Sequence, residues 1–426
     1  MTLLLMLAAL IVLLMLRVPV AIALLTPGLV YVLVDGSASL ELAVQQTLSG
    51  VNSFPILAVP MFILLGNLAN VSGITDRVYG AAVAFLGHVR GSLGYVNVAT
   101  SFGFSWMSGA AIADAAAMGR VQVPAMVKRG YSRSFSVGIT GASSVIAPLI
   151  PPSIPAIIYA VTAGLSVGAL FVTGILPALV LVVCLCVTVW WMTRAKEELR
   201  ESRASWSVRG KELLAALPAA GAAVIILGGI LGGIVTPTEA SASGVLYIFL
   251  LALAYRALTW RKIYHVILQT VETAGSVLLI VAGAALFGWV LARERAPQAI
   301  ADLILQVTNH PIIFLILVNV FLLVIGAVLE PTAAILIVVP VLAPVAETFG
   351  IHPMHFAAIV IFNLLLGLLT PPVGLLHFVL SGVTSTPVTT VIRGVMPFYV
   401  PMLVVLLVVT FVPAVSLWLP TLLGLA

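Results

Sequence analysis

The sequence predicts an all-α membrane protein with about ten spanning helices and two re-entrant hairpins. Of its 426 residues, 62% are hydrophobic and only 8% are charged, whereas about 25% of the residues in soluble domains are charged. The mean hydropathy is +1.25, and several apolar runs exceed the roughly 18 residues that can cross a bilayer as a helix. This composition excludes a soluble enzyme, a secreted disulfide-rich domain and a disordered chain. The unbroken apolar runs exclude a barrel of alternating strands.

The length of each apolar run locates the spanning helices. The predicted spans are residues 2–16, 18–34, 54–71, 134–160, 168–192, 213–233, 240–256, 272–291, 355–380 and 396–425. Two further apolar stretches, 95–126 and 311–346, are interrupted by Ser108-Gly109 and by Glu330-Pro331-Thr332. A break at membrane depth is tolerated only where it faces protein or a water-filled cavity, so both stretches are predicted to be re-entrant hairpins.

The positions of the basic residues predict that both termini lie on the periplasmic side. With that orientation, 17 of the 19 Lys and Arg residues fall in inner loops, and only Arg293 and Arg295 fall outside. Cytoplasmic loops are the ones enriched in these residues. The first hairpin then enters from the cytoplasm and the second from outside. The basic residues form no continuous stripe, so the net charge of +5 does not indicate a nucleic-acid partner.

Residues 194–212 divide the chain into two halves, 1–193 and 213–426. This segment holds 10 charged residues of both signs and is predicted to be an amphipathic connector on the cytoplasmic surface. Each half has five predicted spans and one hairpin, and an odd number of spans inverts the second half. A shift of 220 positions superposes Pro124 on Pro344, Gly130 on Gly350, and Pro151-Pro152 on Pro371-Pro372. Inverted repeats with helices broken at matching positions, here 134–160 and 355–380, indicate a secondary transporter with a binding site at mid-membrane.

The prolines of each predicted broken helix leave backbone carbonyls without a helical hydrogen-bond donor. These carbonyls belong to Ser144, Ala147 and Pro148 in the first break and to Gly367 and Leu368 in the second. Side-chain oxygens are close in sequence: those of Ser143 and Ser144 in the first break, and those of Asn363 and Thr370 in the second. Such oxygens are ligands for a small cation. The alternative is that the prolines only kink packed helices.

Both hairpin tips are predicted to present a helix N-terminus near mid-membrane. One helix begins after Ser108-Gly109, and the other begins at Pro331, a residue suited to a first helical turn. The exposed N–H groups and the helix dipole favour an anionic ligand such as a carboxylate. Asp114 needs a partner at this depth, either a bound cation or a hydrogen bond from a neighbouring helix. Glu330 has the same options, and it can also cap its helix.

Five other polar residues are given no part in transport. His377 is more typical of a packed, hydrogen-bonded histidine than of a ligand, and His352 and His355 are placed in an outer loop. Cys184 and Cys186 lie inside an apolar span, where cysteine is most simply a small packing residue.

Several segments together carry a resemblance to a known family. They are 53–62 (SFPILAVPMF), 87–98 (GHVRGSLGYVNV), 108–116 (SGAAIADAA), 150–155 (IPPSIP), 330–334 (EPTAA) and 363–374 (NLLLGLLTPPVG). In this order they resemble the large membrane subunit of TRAP (tripartite ATP-independent periplasmic) transporters, and the resemblance covers nearly the whole chain.

The resemblance implies a sodium-driven importer of the bacterial inner membrane, which takes a small organic anion from a periplasmic binding protein and works with a small membrane subunit. It also implies an elevator mechanism, with no cofactor beyond Na⁺ as coupling ion. The resemblance and the break and tip residues together give two predicted sodium sites. The first comprises Ser108, Gly109, Asp114, Ser143, Ser144, Ala147 and Pro148. The second comprises Glu330, Thr332, Asn363, Gly367 and Thr370. Candidate substrate contacts are Ser108, Gly109, Pro151, Pro152, Ser153, Pro331, Thr332, Pro371 and Pro372. Glu330 stands where family members often have Asp.

Three alternatives have different sequence consequences. A self-sufficient sodium–carboxylate symporter would have a similar core but need no binding protein. A channel would be compatible with the hairpins but would not couple flux to a gradient. An intramembrane enzyme would need a motif such as HExxH or paired aspartates, which does not occur. The sequence also has no GxxxxGK[ST] phosphate loop, in keeping with transport that needs no ATP site.

Overall fold

The computed structural model describes residues 2–35, 38–194 and 203–425. Every regular element within these ranges is helical, which confirms the all-α prediction. Seven of the described helices are long and apolar enough to cross a membrane, and there are eight if Ala296–Val307 and Pro311–Gly326, bent by 118°, form one span. The remaining predicted spans are shorter apolar helices, so the predicted number of about ten is not confirmed.

The described part of the first half contains ten α-helices. In chain order they are α1 (Thr2–Met15), α2 (Val20–Asp35), α3 (Leu40–Val51), α4 (Ala58–Val71, after a 3₁₀ turn at Phe54–Leu57), α5 (Ile74–Leu86), α6 (Ser92–Ser108), α7 (Ala111–Lys128), α8 (Arg133–Ser144), α9 (Ile154–Ala163) and α10 (Val167–Thr193).

The described part of the second half begins with a helix that contains one π turn. The helices are α11 (Trp206–Ala223), joined through Val224–Gly228 to α12 (Gly229–Leu231), then α13 (Pro237–Ala254), α14 (Trp260–Arg293), α15 (Ala296–Val307), α16 (Pro311–Gly326), α17 (Pro331–Thr348), α18 (Pro353–Gly367), α19 (Leu375–Thr384), α20 (Val388–Phe411) and α21 (Ala414–Leu422).

Each predicted hairpin and each predicted broken helix covers a pair of helices, and the re-entry of the hairpin pairs into the membrane stays a prediction. The first hairpin is α6 and α7 and the second is α16 and α17; the first broken helix is α8 and α9 and the second is α18 and α19. A shift of 220 positions carries the bounds of α7 onto those of α17 and the start of α8 onto the start of α18. The inversion of the second half and its orientation in the bilayer stay predictions.

Two sets of helices pack separately along much of their length. The hairpins and broken helices pack on one another and on α10 and α20, where α8 lies against α20 and α7 against α19. In the other set, α14 packs on α2, α3 and α4, while α13 packs on α4 and α11 on α5. The sets meet where α6 contacts α5 and α4 and where α17 contacts α14 and α15.

The prediction of a single span over 396–425 was wrong. The helix begins earlier, at Val388, and ends at Phe411, and α21 is separate. Pro413 lacks an N–H and disfavours the helical conformation at the residue before it, and Val412 has left that conformation, with φ −119° and ψ 85°. Apolar run length could not show this, because Val412 and Pro413 are themselves apolar.

Other differences arise where helices are amphipathic rather than uniformly apolar. The short helices α3, α5 and α15 were not predicted, and α14 begins at Trp260 rather than at residue 272. Of the predicted connector 194–212, residues 195–202 lie outside the described residues. Within the described part of the connector, residues 206–212 differ from the prediction of a separate surface segment. They belong to α11, which begins at Trp206 and continues into the next apolar segment.

Candidate functional site

The tip of the first hairpin is seated on the first broken helix. Gly109 has φ +60°, and its carbonyl accepts a hydrogen bond from the Ile154 N–H at 3.3 Å. A Cβ on Gly109 would lie 2.3 Å from the Pro152 carbonyl oxygen. Only a glycine fits this contact, so the structure brings the predicted tip residue Gly109 against the predicted break, while Ser108 Oγ donates to Ala110 O within the tip at 3.2 Å.

A buried chain of polar side chains joins the same two elements. Asp114 Oδ2 accepts from Ser101 Oγ (2.9 Å), and Ser101 Oγ lies 3.1 Å from Ser143 Oγ. Ser143 donates to Asn97 Oδ1, and Asn97 Nδ2 donates to Thr140 Oγ1, both at 2.7 Å. All five residues are fully buried. Asp114 Oδ1 has no hydrogen-bond partner among the described residues, so this oxygen is available to a cation or a proton.

The predicted free carbonyls of the first break are mostly occupied. Ser144 O accepts from the Ala147 N–H at 3.2 Å, and Pro148 O accepts from the Ser153 hydroxyl. Ser153 also caps α9 by accepting from the Ala156 N–H at 3.2 Å. The prediction that Ser144 and Pro148 expose unpaired carbonyls was therefore wrong, because turns within the break supply donors that a simple interrupted helix lacks.

Backbone contacts also seat the second hairpin on the second broken helix. The Gly374 N–H donates to Ala327 O at 3.1 Å, and a Cβ on Gly367 would lie 2.5 Å from Gly326 Cα. Here too the carbonyls predicted to be free are paired. Gly367 O accepts from the Thr370 N–H at 2.8 Å, and Leu368 O accepts from the Leu376 N–H at 3.1 Å.

Glu330 caps α17 with both carboxylate oxygens. Oε2 accepts from the N–H groups of Thr332 (2.9 Å) and Ala333 (3.3 Å), and Oε1 accepts from Thr332 Oγ1 (2.8 Å). A carboxylate is favoured at a helix N-terminus, where N–H groups lack helical partners. Of the predicted options for Glu330, the structure therefore shows helix capping.

Asn363, which is also predicted for the second site, contacts Asn319 in α16. Its Nδ2 donates to Asn319 O (3.0 Å) and to Asn319 Oδ1 (2.7 Å). Its Oδ1 is buried and has no partner among the described residues; an amide oxygen left in this way costs about 1–3 kcal/mol. Within the described ranges, no hydrogen bond joins Asn363 to Glu330, Thr332 or Thr370, and the grouping of these residues around one ion stays a prediction.

Sequence reasoning missed three polar residues that support these sites. Ser101 and Asn97 lie in α6 beside Asp114 and Ser143, and Asn319 lies in α16 beside Asn363. His355 was also placed wrongly, since it is buried in α18 rather than in an outer loop. His377 is buried in the first turn of α19.

A separate cavity of about 280 Å³ lies between α9 and α17. Its lining includes Tyr159, Thr162, Phe356 and the carboxylate-bearing Glu347. An acidic side chain with largely apolar neighbours is poorly suited to an anionic ligand, so the hairpin tips are the better candidates for an anion site.

Comparison with known proteins identifies the family. The family model described as "Tripartite ATP-independent periplasmic transporter, DctM component" matches residues 7–415. The chain belongs to this family of TRAP transporter large permeases. Together with the apolar helices, membership makes it a multi-pass protein of the inner membrane.

Curated TRAP permeases are similar over almost their full lengths. The sialic acid TRAP transporter large permease SiaM of Vibrio cholerae is 40% identical, with 95% of each chain covered. The C4-dicarboxylate large permease DctM of Rhodobacter capsulatus is 35% identical, with 98% of each covered. The 2,3-diketo-L-gulonate large permease YiaN of Escherichia coli is 33% identical, with 93% of each covered. These relatives are permeases rather than enzymes.

A solved structure shares the fold of this TRAP permease. The YdaH transporter of Alcanivorax borkumensis superposes with a TM-score of 0.57, covering 85% of this chain and 86% of that chain. Only 14% of the aligned residues are identical, so this likeness concerns the fold alone.

Proposed function

We propose that this TRAP large permease is a sodium-coupled importer subunit that moves a small organic anion delivered by a periplasmic binding protein. The observation that carries the proposal is the seating of each hairpin on a proline-broken helix, with an unpartnered, buried side-chain oxygen in one helix of each half: Asp114 Oδ1 in α7 and Asn363 Oδ1 in α18. Oxygens of this kind are suited to a hard cation such as Na⁺. Discontinuous helices hold coupling ions in secondary transporters.

The first sodium site is centred on Asp114 and Ser143, and Ser101 joins them through hydrogen bonds. Asp114 supplies a negative charge that offsets that of the ion, which favours binding at a buried site. In the second site, Asn363 supplies a neutral oxygen, and Thr370 and Gly367 belong to the same break. Glu330 shapes this second site by fixing the start of α17.

The substrate carboxylate is proposed to bind at the first hairpin tip. The first turn of α7 has no side-chain cap, because Ala110 occupies the N-cap position. By contrast, the carboxylate of Glu330 already caps α17. N–H groups without a capping side chain form the better anion site, so Ala111 and Ile112 at the tip are the proposed anion donors, with Pro151 and Pro152 beside them. The curated relatives are named for sialic acid, C4-dicarboxylates and diketogulonate, which supports an organic acid as substrate.

The helix sets suggest how the substrate crosses the membrane. The hairpins and broken helices, with α10 and α20, form the proposed moving body, and α1–α5 with α11–α14 form the proposed scaffold, to which the small membrane subunit is added. Two Na⁺ ions entering with one monoanion would carry one net charge. A tenfold gradient supplies about 1.4 kcal/mol per ion, and 100 mV supplies about 2.3 kcal/mol per charge. The total of about 5 kcal/mol supports accumulation of several thousandfold.

The proposal is tested by uptake into proteoliposomes that contain this chain and its small membrane subunit. An inward Na⁺ gradient and a binding protein loaded with candidate carboxylates are varied independently. Uptake is expected only when both are present. Sodium-driven uptake without the binding protein would favour the self-sufficient symporter, and uptake indifferent to Na⁺ would overturn the sodium coupling.

A further inference from the structure

The amide groups of Asn319 and Asn363 have orientations that backbone carbonyls determine. Asn319 Nδ2 lies 2.8 Å from Leu315 O, and Asn363 Nδ2 lies 3.0 Å from Asn319 O. A backbone carbonyl can only accept a hydrogen bond, so the side-chain atom that faces it has to be the NH₂ group. The oxygen of each amide is therefore placed without ambiguity, and Asn363 Oδ1 is turned away from α16.

Every polar atom of Asn319 is used within the protein. Its backbone carbonyl and Oδ1 both accept from Asn363 Nδ2. Its Nδ2 donates to Leu315 O and to Thr410 Oγ1, the latter at 3.1 Å. An Asn319 engaged in this way is not itself placed to bind an ion. It can only act through Asn363, whose Oδ1 is buried and has no partner among the described residues.

Buried polar contacts continue from Asn319 through α20 and α18 to α21. Thr410 lies in α20, and its carbonyl is 3.2 Å from Nε2 of the buried His355 in α18. His355 Nδ1 lies 2.7 Å from Ser416 Oγ in α21. Buried polar contacts thus link four helices, α16, α18, α20 and α21. The unpartnered oxygen in this set of contacts is Asn363 Oδ1.

We propose that Asn319, held in place by Thr410, is a positioning residue that aims Asn363 Oδ1 at the ion of the second sodium site. This inference rests on the proposed function, because it assumes that Asn363 binds Na⁺. Without Asn319 Oδ1, the Asn363 amide loses its 2.7 Å hydrogen bond and is held only by the 3.0 Å bond to the backbone carbonyl of residue 319, so its Oδ1 is aimed at the ion less firmly.

The test compares Asn319→Leu, Thr410→Val and Thr410→Ser with a matched control, Thr173→Val. Thr173 is as deeply buried as Thr410, but its hydroxyl donates to Ala169 O within its own helix α10 and lies 4.0 Å from Met354 Sδ, so it contacts neither Asn319 nor Asn363. The measurement is the Na⁺ concentration that gives half-maximal uptake in proteoliposomes, at saturating loaded binding protein. Sodium-dependent thermal stabilisation of the purified permease is a second measurement that needs no partner.

Asn319→Leu is expected to raise the half-saturating Na⁺ concentration about fivefold or more, the effect of losing one buried hydrogen bond. Thr410→Val raises it by a smaller factor, while Thr410→Ser and Thr173→Val stay near the wild-type value. If Asn319→Leu does not fold, the two Thr410 variants still decide the question.

Three results would overturn the positioning role. In the first, the half-saturating Na⁺ concentration is unchanged in both Asn319→Leu and Thr410→Val. In the second, maximal uptake falls without any change in that concentration. In the third, Thr173→Val shifts it as much as Thr410→Val does. A wild-type permease without any Na⁺ response would instead overturn the proposed function itself, so the two failures are distinguishable.

Discussion

Replacing Gly109 by alanine is expected to lift the first hairpin tip off the first broken helix. The new Cβ would lie 2.3 Å from Pro152 O, well inside the 3.0 Å that real Cβ contacts respect. The obstacle is a backbone oxygen in a proline-rich turn, so it has little freedom to move aside. Overpacking of this kind costs about 1–3 kcal/mol.

The substitution carries a second cost that can be measured separately. Gly109 has φ +60°, and a left-handed conformation costs a residue with a Cβ about 1–2 kcal/mol. Gly164, the C-cap of α9, has a similar φ of +68°, but a Cβ there would meet nothing within 4 Å. Gly164→Ala therefore bears the conformational cost alone and is the matched control.

Thermal unfolding measures the stability of both purified variants. The free energy of unfolding of Gly109→Ala is expected to be lower than that of Gly164→Ala by about 1–3 kcal/mol. Amide hydrogen exchange at Ile154 is expected to accelerate only in Gly109→Ala, because its N–H donates to Gly109 O. Sodium-driven uptake is expected to fall strongly in the same variant. Equal stability, exchange and uptake in the two variants would refute the seating of the hairpin tip on the break.

Three further contacts are tested by substitution and thermal unfolding of the purified protein. Glu330→Ala should lose about 0.5–2 kcal/mol as a lost helix cap, whereas Glu330→Gln keeps a capping oxygen and should lose less; equal losses would argue against capping. Ser143→Ala removes the donor to Asn97 Oδ1 and should cost about 1–3 kcal/mol, together with a weaker Na⁺ response; an unchanged protein would argue against the first polar network. Gly138→Ala places a Cβ 2.0 Å from a backbone oxygen of α20 and should destabilise by about 1–3 kcal/mol. Gly275→Ala, where nothing lies within 4 Å, should be neutral or stabilising; similar results for these two glycines would contradict the close packing of α8 on α20.

The hairpins and breaks could be predicted because the residues that cause them act locally. Gly109 ends α6, Pro331 begins α17, and the two Pro-Pro pairs interrupt their helices at the predicted positions. Each of these effects depends on the backbone of a few neighbouring residues, so it can be recognised without knowledge of the fold.

The supporting polar residues could not be predicted in the same way. Asn97 is 46 residues from Ser143, Asn319 is 44 from Asn363, and His355 is 61 from Ser416. A polar residue inside an apolar run has no local signal that names its partner. The pairing of the break carbonyls, such as Gly367 O with the Thr370 N–H, was missed for a related reason. It depends on the path that the backbone takes after the helix ends.

Two related sodium sites, as proposed, would admit two sodium ions with each substrate molecule. The most direct test is the ratio of radioactive sodium to labelled substrate that enters proteoliposomes at a fixed membrane potential, with both partner proteins present. The proposed sites predict a ratio of two, which falls when Ser143 or Asn363 is replaced by alanine. Substrate uptake without accompanying sodium, or a ratio that neither substitution changes, would contradict the claim.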